Sequence, residues 1–382
     1  MYSIAQYGRM INDRVRMKAC EQALRQTVKP GSVVLDIGTG TGIFALLACQ
    51  LGARKVYAIE PDSVIQVARE IAVANGYANR ITFVQALSTR VDLPERADVV
   101  ISDLRDVLPL FGQHIPAIAD ARERLLAPGG VLIPQLDTIW VAVVTADDLY
   151  HMGSTPWEEN VYGLDMRAAR RFVVNRWVQA RISPEQMLCE PQVWATLDYT
   201  AITEPNVSGT VTFRANHEGT GHGLGVWFDT QLVAGVMLSN SPTEPELVYG
   251  MAFFPWEKPV EIDAGDEIVI TLEAHLVEND YVWQWQTQVR GQVDGAPLKA
   301  DFRQSTFLDT PLSSTSLRRR AESFVPSLSI DGLIDHSILD IMGQKKPLGE
   351  IAQELMQQYP GHFGGWKDAF SRVAALSEKY CE

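Results

Sequence analysis

Three glycines in one loop and two nearby carboxylates are the residues of this chain whose types and spacing best suit chemistry. The glycines are Gly38, Gly40 and Gly42, within the segment VVLDIGTGTGIFAL. They let the backbone turn tightly and approach a ligand closely. Asp36 lies two residues before the first glycine, and Glu60 lies 20 residues after Gly40. That spacing is typical of a carboxylate that accepts both hydroxyls of a ribose.

Two classes of nucleotide cofactor bind to such a loop. A dinucleotide enzyme carries Gly-x-Gly-x-x-Gly, so that a pyrophosphate sits at the helix N-terminus. Here Ile43 replaces the third glycine of that pattern. An acid just before the loop repels a pyrophosphate but suits the ammonium and sulfonium groups of S-adenosylmethionine. The residues therefore predict an S-adenosylmethionine site, and a dinucleotide oxidoreductase is the disfavoured alternative.

Strands and helices alternate around this loop. The apolar runs VVLDIG, KVYAIE, ITFVQA, ADVVIS and GVLIP predict strands, and segments with helical spacing of apolar residues lie between them. This alternation predicts a Rossmann-like α/β domain over residues 1–134, with a parallel sheet and a ligand at the carboxyl ends of the strands.

The pattern changes after Pro134. Runs rich in Val, Thr, Trp and Tyr, such as TIWVAVV, GTVTFRA and YVWQWQTQV, predict an antiparallel β domain over residues 135–310. A helical excursion interrupts it at residues 157–180. A Ser- and Thr-rich linker near Pro311 leads to a third unit, residues 320–382. Helical patterns are predicted there at 337–342, 348–359 and 366–380.

Composition narrows the class of protein. The chain has 382 residues, of which 46% are hydrophobic and 21% charged, as is typical of a globular protein with more than one domain. Its net charge of −14 argues against a nucleic-acid partner, which requires a basic face. The four cysteines and seven histidines show no metal-binding spacing. We expect reduced thiols, no metal, no secretion, no membrane insertion and a cytoplasmic location.

The α/β part, the β part and their order resemble the protein arginine methyltransferase family over residues 5–310. WEENVYGLDM, at 157–166, is close to the opening of that family's dimerisation arm. GTVTFRANHEGTGHGLGVWFDTQL and DAGDEIVITLE resemble its β-barrel, and MINDRVR, at 10–16, resembles the helix that folds over the cofactor. The resemblance implies an S-adenosylmethionine-dependent methyltransferase with a β-barrel, a helical dimerisation arm at about 152–182 and a homodimeric assembly.

The resemblance also implies roles at the cofactor site. Arg16 would pair with the methionine carboxylate, Met10 would pack against the sulfonium, and Ala86 and Leu87 would lie near the adenine. The loop and its acids would hold the methionine and ribose portions: Asp36, Gly38, Gly40 and Glu60.

The substrate side departs from the family. Its members carry two glutamates that grip the substrate guanidinium in a loop after the fourth strand. Here those positions are Asp103 and Gly112, and the barrel-side histidine is replaced by Val248. Arg105 and Asp106 are new charges in the same loop. A guanidinium stays charged at any working pH, so desolvating it beside one carboxylate is less favourable than beside two.

Asp103 and Asp106 are therefore the candidate catalytic residues, and three interpretations remain open. Asp106 replaces the lost carboxylate and arginine remains the substrate. Alternatively, the two serve as base or orienting group for a peptide amide, carboxylate, hydroxyl or amine. In the third interpretation both only cap the following turn.

Residues 336–380 resemble the small peptide-binding winged-helix domains of the PqqD kind. Such domains hold the leader of a ribosomally made precursor peptide by adding it as a strand to a β-edge. A helical cap or oligomerisation element is the alternative. As a whole, the sequence predicts a methyltransferase that acts on a peptide or protein side chain. The alternative from another class is a non-catalytic peptide-binding or scaffold protein that retains the cofactor pocket.

Overall fold

Five apolar runs of the N-terminal part pair into one parallel sheet. The computed structural model describes residues 2–159, 162–292 and 297–381. The strands of this sheet are β1 (Val33–Ile37), β2 (Lys55–Ile59), β3 (Ile81–Val84), β4 (Ala97–Ser102) and β5 (Leu126–Ile133). Their order is β3-β2-β1-β4-β5. The order reverses between β1 and β4, and the crevice of such a sheet opens there, at the carboxyl ends of the strands.

Helices accompany this sheet, and the first two begin at residues with the expected capping chemistry. They are α1 (Ile4–Asn12), α2 (Arg14–Thr27), α3 (Ile43–Gln50), α4 (Ile65–Ala74) and α5 (His114–Asp120). Ser3 caps α1 in a capping box with Gln6. Asp13 separates α1 from α2, and its side chain accepts the backbone N–H of Arg16. One residue therefore ends the first helix and starts the second.

The segment after α5 differs from its predicted helical pattern. The α-helix ends at Asp120, a π-helical turn covers Ala121–Leu125, and β5 already begins at Leu126. Gly129, within β5, has a φ of 78°. The helix stops early because this glycine-containing segment pairs with β4.

The next part of the chain is antiparallel. Its strands are β6 (Leu136–Val144), β7 (Val178–Ala180), β8 (Gln192–Asp198), β9 (Val207–Arg214), β10 (Gly219–Val233), β11 (Val236–Ser239), β12 (Met251–Ile262), β13 (Glu267–Val277), β14 (Asp280–Arg290) and β15 (Ala300–Ser305). They form two sheets, β7-β12-β10-β6-β8 with β11 on β10, and β15-β14-β13-β9. The sheets meet where β8 contacts β9 and where β12 contacts β15. The predicted fold class, an α/β domain followed by an antiparallel β-barrel, is confirmed.

The helical excursion lies earlier in the chain than predicted. It consists of α6 (Asp147–Glu158) and the single turn α7 (Arg170–Val173). The predicted range 157–180 ends in β7, which pairs with β12, so strand pairing outweighs the helical periodicity there. Asn160 and Val161 of the predicted arm lie outside the described residues.

The chain divides into two compact units, Met1–Pro311 and Leu312–Glu382. The second unit contains α8 (Ser314–Arg319), α9 (Ile330–Met342), α10 (Leu348–Gln358) and α11 (Trp366–Tyr380). Its helices enclose a small core of their own, which includes Ile338, Ile351, Leu355 and Val373. Its described residues form no strand. The β-edge that the resemblance to a winged-helix domain implies is therefore missing from residues 312–381. Within the described ranges, no helix is both long and apolar enough to cross a membrane.

Candidate functional site

The glycine loop lies between β1 and α3, under two side chains from other elements. Gly38 and Gly40 have φ angles of 73° and 54°, which L side chains rarely adopt. A Cβ on Gly38 would lie 2.3 Å from Cδ2 of Leu104, and one on Gly40 would lie 2.4 Å from Cε1 of Tyr7. Leu104, after β4, and Tyr7, on α1, therefore lie directly against the loop, and only glycine fits beneath them.

Asp36 is buried at the end of β1, with 1% of its surface exposed. Its carboxylate accepts the hydroxyl of Thr39 at 2.6 Å and the backbone N–H of Ala45 at 3.1 Å. Burial raises the pKa of Asp36 to about 7, against the opposing effect of these two hydrogen bonds. Asp36, the acid predicted from the sequence, therefore lies against the glycine loop, and its pKa lies near neutral pH.

Glu60, at the end of β2, contacts the same loop. It accepts the backbone N–H of Gly40 and that of Asp62, each at 3.0 Å. Burial raises its pKa. The 20-residue spacing read from the sequence thus corresponds to a direct hydrogen bond between Glu60 and the glycine loop.

The other residues expected at the cofactor lie on α1 and after β3. The N–H of Glu60 donates to the carbonyl of Val84, so Ala86 and Leu87, which follow β3, lie near the same strand ends. Ala86 is partly buried and Leu87 is 45% exposed. Met10 is partly buried on α1, and its carbonyl accepts Nη1 of Arg16 at 3.2 Å. The roles of these residues toward a cofactor stay predictions.

Arg16 is held by side chains from the loop after β4 and from the barrel. Its guanidinium is buried and pairs through Nη2 with Asp103, while Nε donates to Asp103 Oδ2 and to the Tyr249 hydroxyl, both at 2.9 Å. Arg16 thus connects α2 to the loop after β4 and to the barrel.

Asp103 is saturated by hydrogen-bond donors. Besides Arg16, it accepts Arg105 at 3.0 Å and the Tyr249 hydroxyl at 2.7 Å. Burial opposes the charged form, but Arg16 and Arg105 outweigh it and hold the pKa of Asp103 well below its usual range. Such a carboxylate takes no proton near neutral pH. Of the two active roles predicted for Asp103, only an orienting role fits these surroundings.

Arg105 bridges two buried carboxylates. Its Nη1 lies 3.3 Å from Oδ1 of Asp137 and donates to the Thr230 hydroxyl at 2.5 Å. Asp137, which is fully buried, also accepts the Tyr199 hydroxyl at 2.6 Å. Sequence reasoning missed Asp137, Thr230 and Tyr199. The one signal that could have indicated them was Asp137, an acid directly before the largely apolar predicted strand TIWVAVV.

The remaining substrate-side positions have separate surroundings. Asp106 is partly buried, and burial raises its pKa. Gly112 has a φ of 48°. The backbone N–H of Val248 donates to Asp13 Oδ2 at 2.8 Å, which fastens the barrel loop to the break between α1 and α2. The structure therefore leaves Asp106 as the loop carboxylate without an arginine partner among the described residues.

Comparison with known proteins gives matches along both parts of the first unit. Residues 17–147 match the family model of the ribosomal protein L11 methyltransferase (PrmA), and residues 135–289 match that of the arginine methyltransferase oligomerization subdomain.

Individual relatives and structures agree with these models. Protein arginine N-methyltransferase 6 of Xenopus tropicalis is 28% identical over 279 residues, which cover 69% of this chain and 82% of the relative. The arginine N(omega)-methyltransferase of Streptomyces achromogenes subsp. streptozoticus is 27% identical over 270 residues, covering 69% and 74%. The fold is similar to that in the Trypanosoma brucei PRMT1 enzyme-prozyme heterotetrameric complex with AdoHcy. The TM-score is 0.71 at 23% identity, over 78% of this chain and 96% of the other.

Proposed function

We propose that this protein, an S-adenosylmethionine-dependent methyltransferase of the protein arginine methyltransferase-like kind, transfers a methyl group to a side chain of a peptide or another protein. The predicted enzyme class and cofactor are confirmed by the similarity to methyltransferases. The observation that carries the proposal is the glycine loop with Asp36 and Glu60 buried against it. The loop after β4, residues 103–113, here called the acceptor loop, supplies the second half of the site and contacts the barrel through Asp103 and Tyr249.

The residues present fit the cofactor. Asp36 and Glu60 are both buried, yet the hydrogen bonds they accept come from neutral donors in the described part of the chain. Buried carboxylates without a cationic partner are costly, and a ligand with an ammonium and a sulfonium supplies the missing positive charge. Gly38 and Gly40 add no side chains of their own to the loop, so Leu104 and Tyr7 pack directly against its backbone.

The chain's own residues contribute positioning rather than chemical drive. S-adenosylmethionine, when bound, supplies an activated methyl group. Asp36 and Glu60 would hold its cationic and ribose portions, and Tyr7 and Leu104 pack against the loop. Asp106, whose pKa is raised by burial, is the loop carboxylate able to hold a proton from an acceptor. Alignment of the acceptor with the methyl group is the main task left to the protein.

A groove lined by residues next to Tyr249 in the chain supports a peptide as substrate. It has a volume of about 890 Å³ and lies between the two N-terminal helices and the barrel. Its lining includes the charged residues Arg9, Arg14, Arg181 and Glu246. Val248 and Gly250, on either side of Tyr249 in the chain, also line it. A wide groove with both signs of charge suits an extended peptide better than a small apolar ligand. A homodimer through α6 and α7, and a ribosomally made precursor peptide as substrate, belong to the same proposal.

Methyl transfer is tested with isotope-labelled S-adenosylmethionine and a pool of cellular peptides. We expect S-adenosylhomocysteine to form and the label to appear in peptide, because the glycine loop and the acceptor loop adjoin each other at Gly38 and Leu104. Loss of product in a Glu60→Ala variant serves as the control. Cofactor binding without product, whichever peptide pool is supplied, would favour the scaffold alternative.

Binding of S-adenosylmethionine is expected to release protons near pH 7. Burial raises the pKa of Asp36 to about 7, so the free protein carries this carboxyl partly protonated, and a cationic ligand favours the charged form. Affinity should therefore fall as the pH drops below 7. By the same shift, the ligand-free fold loses stability as the pH rises through 7.

Calorimetry in phosphate and in Tris measures the released protons, since the two buffers differ in ionisation enthalpy. The Asp36→Asn variant should release fewer protons. Equal binding enthalpies in both buffers would contradict the prediction.

A further inference from the structure

We propose that Arg105 permanently fills a guanidinium site in the acceptor loop, so that the methyl acceptor is a side chain other than arginine. The guanidinium site is defined by Asp103, Asp137, Thr230 and the rings that flank them. This inference rests on the proposed function, since it concerns the acceptor of the same methyl transfer.

Arg105 occupies this site as a forked donor. Nε and Nη2 lie 3.1 and 3.0 Å from Oδ1 of Asp103. Nη1 reaches Asp137 Oδ1 at 3.3 Å and Thr230 Oγ1 at 2.5 Å. Two carboxylates and a hydroxyl therefore accept from the three nitrogens of one guanidinium, whose donors form a fixed fork.

Aromatic rings complete the site. The guanidinium carbon of Arg105 lies 5.5 Å from the ring centre of Phe228 and 5.7 Å from that of Tyr249. A guanidinium interacts favourably with such rings, whereas an ammonium lacks its planar fork. The side chain of Arg105 is 1% exposed, so the site is enclosed around its occupant.

The site lies where an acceptor approaches the cofactor loop. Ile37 of β1 pairs in register with Ser102 of β4, so the glycine loop and Asp103 follow neighbouring strand ends. Leu104, the next residue, covers Gly38. A carboxylate at this point is therefore the group that a substrate side chain meets beside the cofactor.

A second guanidinium finds no free acceptor on Asp103 and is left with Asp106 alone among the described carboxylates of this loop. Asp103 is already saturated by Arg16, Arg105 and Tyr249. Arg105 is charged at every working pH, so an arriving guanidinium meets like charge in a poorly solvated place and recovers little of its desolvation cost. The internal arginine thus selects against arginine as acceptor.

The site itself is tested by restoring its occupant from solution. In an Arg105→Ala variant, methylguanidinium at ~10 mM is expected to raise the midpoint of thermal unfolding by about 2–4 °C, because it binds the folded form. Wild type and an Arg167→Ala control, which removes an exposed arginine paired with Asp165, should show no rise. Absence of rescue in the folded Arg105→Ala variant would overturn the proposal.

A charge-balanced variant covers the case in which Arg105→Ala does not fold. Arg105→Ala combined with Asp137→Asn removes one charge of each sign from the site and leaves the space of the guanidinium open. Methylguanidinium should raise its unfolding midpoint through Asp103, and no rise would again overturn the proposal.

Substrate selection is tested separately on the wild-type protein. With S-adenosylmethionine and a peptide of Gly-Arg-Gly repeats, we expect no methylated arginine by mass spectrometry, while calorimetry shows cofactor binding. Methylated arginine would overturn the inference and uphold the proposed function. Failure of cofactor binding would refute the proposed function, and the methylguanidinium result would still decide whether the site accepts a guanidinium.

Discussion

Replacing Glu60 by alanine is expected to weaken S-adenosylmethionine binding by roughly 10- to 150-fold. Glu60 is buried against the glycine loop and accepts the N–H of Gly40. A hydrogen bond to a charged group contributes about 1.5–3 kcal/mol, and every 1.4 kcal/mol is about tenfold in affinity. Isothermal calorimetry measures the change directly.

Two further variants identify the cause of the lost affinity. Glu70 lies exposed on α4, so Glu70→Ala should bind as the wild type does. Glu60→Gln keeps an acceptor for Gly40 but removes the charge, and should fall between wild type and Glu60→Ala. Unchanged affinity in Glu60→Ala would remove Glu60 from the cofactor site.

Replacing Asp137 by alanine is expected to lower the free energy of unfolding by about 3–5 kcal/mol, the usual cost of removing one partner from a buried ion pair. Asp137 is fully buried and accepts from Arg105, Thr230 and Tyr199. Its loss leaves a buried guanidinium with one carboxylate fewer and two hydroxyls without their acceptor. Urea unfolding followed by circular dichroism measures the effect.

The matched control is Asp165→Ala, which removes an exposed carboxylate paired with Arg167 and should leave the urea midpoint unchanged. Asp137→Asn keeps an acceptor for the hydroxyls and should lose less stability than Asp137→Ala. A loss below about 1 kcal/mol in Asp137→Ala would mean that the network around Arg105 is weaker than its burial implies.

The parts of the fold that follow from local patterns were predictable. The run Val33–Ile37 and the loop after it combine a buried strand with glycines at left-handed φ, and both depend only on neighbouring residues. The 20-residue spacing of Glu60 from Gly40 is the length of one strand-helix-strand unit, so it can also be recognised from the sequence alone. For the same reason, the positions of β1 to β4 were predicted closely.

The rest depends on contacts between distant residues. The helical arm was placed too late because β7 pairs with β12, about 70 residues further along the chain. The acceptor loop shows the same limit. Arg105 was visible as an isolated charge, but its partner Thr230 lies 125 residues away. Only the register of β6 and β10 brings Asp137 and Thr230 together, and no spacing within the loop encodes that register.

One guanidinium joins three elements, in addition to the direct hydrogen bonds of Val248 with Asp13 and of Tyr249 with Asp103. Arg16 holds the Met10 carbonyl on α1, the Tyr249 hydroxyl on the barrel and the Asp103 carboxylate beside the cleft. An anion that accepts hydrogen bonds from Arg16 therefore weakens the hydrogen bonds that Asp103 receives from it. Conversely, a group that reorients Asp103 changes which donors of Arg16 are free to bind an anion. Such linkage is reciprocal. A ligand carboxylate that accepted hydrogen bonds from Arg16 would thus compete with Asp103 for the same donors.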